Sequence, residues 1–143
     1  MTAGRPTTYC EETATAVCEQ LAMGRSLRSV CADPDMPGMS TVFQWLGRHK
    51  EFAEQYARAK EESADAMVEE MLAIADDGLN DTYTDENGNV RVMQDHVQRS
   101  RLRVDTRKWI ASKLKPKKYG EKVQQELSGG IKVIPATGDD LNL

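Results

Sequence analysis

Within STVFQWLGRH, residues 40–49, Thr41, Gln44 and Arg48 stand three and four positions apart, the spacing that puts side chains on one face of a helix. The chemistry available to such a trio is recognition. In a major groove glutamine can bond two edge atoms of adenine and arginine two of guanine, so a short helix carrying both is a candidate DNA reader, bounded by Ser40 and Lys50. Arg5, in the arm Gly4-Arg5-Pro6 that precedes it, suits a minor groove, where narrow A·T tracts attract a guanidinium. The same face also fits an ordinary solvated helix surface, and three-helix units also bind proteins, so this segment alone leaves both readings open.

Other reactive residue types do not assemble. His49 falls on the inward side of its helix, and His96 stands beside Asp95 without a matching ligand pair, which is too little for a zinc site. The stretch DENGN hints at a calcium loop, but with Gly88 as its sixth position Tyr83 and Gln94 would stand where carboxylates are required. The chain contains no G-x-x-x-x-G-K-[ST] phosphate loop, and no Ser-His-Asp or Cys-His arrangement can be argued. The expectation is a protein that is not an enzyme, with no catalytic residue, no metal and no cofactor. Cys10, Cys18 and Cys31 are odd in number and lack a C-x-x-C pair, so they are expected as small reduced core residues. No run nears the ~18 apolar residues of a membrane span, and the N-terminus lacks the apolar stretch of a signal peptide; a soluble, intracellular protein with no membrane partner is expected.

Over 143 residues the net charge is −4, unevenly placed. Seven cations face seven anions over residues 1–60, two face eleven over 61–100, and ten face five over 101–143. The acidity belongs to the middle segment, which leaves both ends free to meet an anionic partner.

The elements that would position the trio follow from periodicity. Thr8 to Glu11 has capping-box spacing, and Ala14, Val17, Cys18, Leu21 and Ala22 form an apolar helical stripe behind it, stopped by Gly24. Ser26 caps a short second helix burying Leu27, Val30 and Cys31, the prolines at 34 and 37 end it, and Ser40 caps a third with Val42, Trp45, Leu46 and His49 inward. Three short helices with a tight second turn make a helix-turn-helix module over residues 1–50. Residues 51–116 then read as an antiparallel pair of long helices for oligomerisation, interrupted over 78–94 by a loop or β-hairpin. There Asn87-Gly88 suggests a two-residue turn setting Tyr83 opposite Val92. The long helices carry more apolar surface than the pair can cover, which predicts self-association. Of the cations from Arg99 to Lys118, some should pair with Glu61, Glu62, Asp65, Glu69 and Glu70. Residues 117–134 suggest a C-terminal β segment of two short strands, VQQEL and IKVI, that pair between subunits, and 135–143 a mobile tail. The fold class is mainly α.

Taken together, PGMSTVFQWLGRHKEFAEQYARAKEESADAM, EEMLAIADD and SRLRVDTRKWIASKLKPKKYGEKV resemble the phage terminase small subunit, the DNA-packaging recognition protein of tailed double-stranded DNA phages, from about Gly4 to Val123. The resemblance implies a helix-turn-helix domain, a central helical hairpin that assembles a ring of roughly eight to ten subunits, and C-terminal strands forming a barrel on the ring axis. It implies recognition of double-stranded viral DNA and its delivery to the terminase large subunit, which supplies ATPase and nuclease activity, in the host cell cytoplasm. Carried onto this chain, the reading helix is Ser40 to His49, and the ring interface lies in 51–77 and 95–114, where Met67, Met71, Ile74, Val97, Leu102, Val104 and Trp109 are the expected contacts. The stretch 79–94 looks longer than the plain loop of the family's shorter members. A ring also reconciles an acidic chain with DNA reading, because many copies multiply a nearly neutral reader through effective concentration. The alternative is a phage or prophage transcription regulator with the same reader, acting as a dimer on a pseudopalindromic site.

Overall fold

A computed structural model describes residues 5–122 and 129–130 of the chain. Its elements run α1 (Glu11–Ala22), α2 (Leu27–Cys31), α3 (Met39–Arg48), α4 (Lys50–Asp76), β1 (Thr82–Thr84), β2 (Val90–Val92), α5 (Gln94–Leu114) and α6 (Pro116–Tyr119). Among the described residues the fold is mainly α, with one small antiparallel sheet.

The helix starts correct two expectations. At α1 the cap is Cys10, whose Sγ accepts the Thr13 N–H at 3.4 Å; the Thr8–Glu11 capping box does not form, because Cys10 is the extended residue immediately before the helix. Cys10 is therefore exposed, while Cys18 and Cys31 are buried core thiols. At α3 the cap is Gly38, without a side-chain bond, and Ser40 lies inside the first turn as a surface group. Buried Pro37 sets the entry to α3. Ser26 does cap α2, its Oγ accepting the Ser29 N–H at 3.1 Å. The second connection is longer than a tight turn, running over residues 32–38 with a Met36 N–H to Asp33 carbonyl bond of 3.2 Å inside it. Gly24 closes α1 at φ 93°, a left-handed conformation that favours glycine.

Ala14, Val17, Leu21, Val30, Val42 and Trp45 form the N-terminal core, and Phe52 and Ala59 of α4 complete it. Residue 50 thus marks a change of helix and not of core: the first turns of α4 belong to the reading unit. The 27 residues of α4 then continue to a distal half that packs against α5. Between them, β1 and β2 pair Thr82 with Val92, Tyr83 with Arg91 and Thr84 with Val90. That is one residue off the expected register. The Gly88 N–H bonds to the Asp85 carbonyl at 3.0 Å, with Gly88 at φ 79°, so the turn spans Asp85–Gly88 and Asn89 closes a five-residue loop. The Asp85 carboxylate selects it by accepting the Asn87 and Asn89 N–H groups, each at 2.9 Å.

At its C-terminal end α5 meets α6, where the expected β segment begins instead as a helical turn. Pro116 starts the turn, a position that needs no N–H. Gly120 closes it, its N–H on the Pro116 carbonyl at 2.8 Å, and that carbonyl sits where a Cβ on residue 120 would have to go. The strands expected at VQQEL and IKVI, and the tail 135–143, lie outside the described residues.

Candidate nucleic-acid interface

Helix α3 presents its polar face outward because Val42 (0 % exposed) and Trp45 (3 %) hold the opposite face. Ser40, Gln44 and Arg48 are exposed, Thr41 is half-buried at the flank, and Lys50 is exposed at the start of α4. No carboxylate lies on α3 itself. Phe43 (54 % exposed) and Gly47 share this outward side; sequence reading passed over both, although an aromatic residue off the apolar stripe was a usable signal.

An aromatic cluster fixes the angle between α3 and α4. Tyr9 stacks on His49 at 3.7 Å between ring centroids and 11° between planes, and meets Trp45 edge-on at 5.3 Å. Phe52 meets Trp45 at 6.0 Å and Tyr9 at 6.2 Å, edge-to-face geometry favoured by ring quadrupoles. His49, expected inward, is half-buried under Tyr9 at the joint where α3 passes into α4. On the far side of the unit, the Arg25 guanidinium donates to Asp33 at 2.8 and 3.1 Å, to Gln20 at 2.9 Å and to Ser29, which lowers the Asp33 carboxyl. These contacts make the trihelical unit a rigid holder for α3.

Arg5 is not extended as a free arm. Its Nη1 donates to the Cys31 carbonyl at 2.9 Å, satisfying one of the orphan acceptors at the end of α2. The Arg5 side chain thereby lies beside Gly38, at the entry to α3.

The α4–α5 pair sorts the seven expected contact residues into two groups. Ile74 is buried, and Met67, Met71, Val97 and Val104 are half-buried; Ile74, Val97 and Val104 line one shared crevice between the two helices. Leu102 (56 % exposed) and Trp109 (63 %) point away from α4. They stand seven residues apart, two turns along one face, flanked by exposed Arg99, Arg101, Lys108 and Lys113, with exposed Asp105 between them 3.8 Å from Arg101. Trp109 also borders an open groove of about 580 Å³ with Pro116 and Tyr119. The outer face of α4 is mainly acidic: Glu54, Glu61, Glu69 and Asp76 recur along it, with exposed Arg58 and Leu72 among them.

Of the five acids expected to pair with the cations from Arg99 to Lys118, two do so among the described residues. Glu70 takes Arg107 in a two-pronged bridge of 2.9 and 3.0 Å, with Arg103 at 3.6 Å. Asp65 accepts from Lys115 (2.8 Å), Lys118 (3.0 Å) and Tyr119 (2.5 Å), and these donors hold its carboxyl well below the usual carboxylate range. That clamp ties the PKKYG turn to the middle of α4. Among the described residues, no group of three acids, histidines or cysteines is placed to hold a metal, and no helix is long and apolar enough to cross a membrane.

Residues 9–126 match the family described as Bacteriophage Sf6, terminase small subunit-like. Among solved structures, the terminase small subunit gp1 of the bacterial virus Sf6, in three singly substituted forms, is similar to this chain at 42 % identity. Each alignment has a TM-score of 0.69 and covers 88 % of this chain and 88 % of that one. No curated protein sequence matches.

Proposed function

The chain belongs to the Bacteriophage Sf6 terminase small subunit-like family, and from that membership we propose that it is the DNA-recognising component of a viral genome-packaging machine. Copies close into a ring of roughly eight to ten subunits, read a packaging site on double-stranded viral DNA through α3, and deliver it to the large subunit in the host cytoplasm. Strand cleavage and ATP hydrolysis fall to that large subunit, and this chain is not an enzyme.

The observation that carries the DNA reading is the outward face of α3, where Ser40, Gln44 and Arg48 are exposed on a helix held rigidly by Trp45 and Val42. Thr41 flanks that face, and Lys50 and Arg5 add positive charge at its two ends. The ring rests on the two outer faces of the long helices. The α5 stripe of one copy, apolar at Leu102 and Trp109 and basic around them, is complementary to the acidic α4 stripe and Leu72 of the next. Unlike surfaces meeting head to tail generate rings when the rotation closes. The residues already half-buried between α4 and α5 stiffen each subunit, leaving Leu102 and Trp109 as its forward contacts.

Native mass spectrometry of the full chain, with DNA retention measured across a salt series, tests both halves. One closed species of roughly eight or more subunits is expected, and a dimer would reject the ring. Replacing Gln44 and Arg48 by alanine should weaken DNA retention without changing the assembly mass; unaltered retention would reject α3 as the reader.

A further inference from the structure

Glycine supports a helix less well than alanine, and Gly47 stands in the last turn of α3, one residue before its end. Nothing among the described residues requires glycine there. Gly47 is not among the residues with positive φ, and a Cβ built on it would meet nothing within 4 Å. The bare backbone at 47 is open to an approach from outside. One turn earlier Phe43 is 54 % exposed on the same side of the helix, and residues four apart are neighbours. An aromatic ring thus stands beside a shelf of uncovered backbone, within a face otherwise polar at Ser40, Gln44 and Arg48.

We propose that Phe43 and Gly47 together form the contact by which α3 reads a thymine methyl group. In the major groove the thymine 5-methyl is the apolar feature of the base-pair edges, and phenylalanine is among the side chains that meet it. The missing Cβ at 47 lets the helix backbone come close enough for the ring to reach the methyl. Gln44, between the two, is then placed to bond an adenine nearby, so the preferred step is rich in T·A pairs. This rests on the reading of α3 as the DNA-contacting helix.

The test uses the full-length protein and short random-sequence duplexes amplified with either thymidine or deoxyuridine, pools that differ in the methyl alone. Wild type should retain the thymidine pool better, by about fourfold for each methyl buried, the factor that one apolar carbon removed from water supplies. Phe43→Ala should retain both pools equally, at the level of the deoxyuridine pool; a preference persisting in that variant would arise from groove shape and would overturn the contact. Gly47→Ala should melt at a higher temperature than wild type yet lose thymidine-pool retention, a combination that a purely structural glycine does not produce. Equal, salt-sensitive retention of both pools by wild type would refute the methyl contact while leaving DNA reading intact. Absence of any salt-sensitive retention would overturn both. A change of assembly mass in Phe43→Ala, with the pool preference retained, would assign the ring to a subunit contact instead.

Discussion

Replacing Phe52 by alanine should destabilise the reading unit from within α4. The side chain is 0 % exposed and meets three other rings edge-on, at 6.0 Å to Trp45, 6.0 Å to Tyr56 and 6.2 Å to Tyr9. Truncating a buried phenylalanine costs about 3–5 kcal/mol, including the cavity. Each ring pair adds about 0.5–1.5 kcal/mol beyond area burial, which places this site at the upper end, about 4–5 kcal/mol. With an unfolding entropy of about 2 cal/mol/K per residue, that loss lowers the melting temperature by about 15 °C. Urea unfolding followed by tryptophan fluorescence measures it. The chain has two tryptophans, so a Trp109→Phe background leaves Trp45, inside the affected core, as the reporter. Protein concentration must be held fixed, because association contributes to apparent stability. Phe52→Leu keeps most of the apolar volume and should lose less. A loss below about 1 kcal/mol for Phe52→Ala would refute the view that α4 completes the N-terminal core, since no buried phenylalanine in a closed core is that cheap to truncate.

Asp65→Asn should release α6, read as faster amide exchange at Lys118 and Tyr119. Lys115, Tyr119 and Lys118 depress the wild-type carboxyl, so its contribution is complete above the unfolded value of about 4 and declines as pH falls below it; equal exchange and equal pH dependence in the two proteins would refute the clamp. Iodoacetamide should label Cys10 first, because its thiol is exposed and lowered by bonds from Thr13. Burial pushes Cys18 up to about 11 and raises Cys31, so mass spectrometry finding either modified as fast as Cys10 in the native protein would contradict the core assignment.

Much of this architecture was legible in single residues. Helix stripes came from the 3.6-residue period, which burial must respect whatever the tertiary packing: Val17, Leu21, Val42 and Trp45 are all buried. Breaks came from Gly24 and the prolines, whose backbone limits are local. The outward trio on α3 followed from the inward one, since opposite faces of a helix cannot both be buried in a small unit. Properties that depend on what a residue meets were another matter. Whether Cys10 or Thr8 capped α1 depended on which residue stood just outside the first turn. The hairpin register turned on the Asp85 carboxylate capturing two N–H groups ahead of the Asn-Gly pair. Periodicity put apolar residues on both sides of α5, but only the position of α4 decided that Val97 and Val104 face inward while Leu102 and Trp109 face out. The same holds for Arg5, whose partner is a carbonyl 26 residues away, and for Asp65, whose three donors lie 50 to 54 residues along the chain. Local chemistry set the helices and their faces; long-range packing chose which faces and which charges remained free to act.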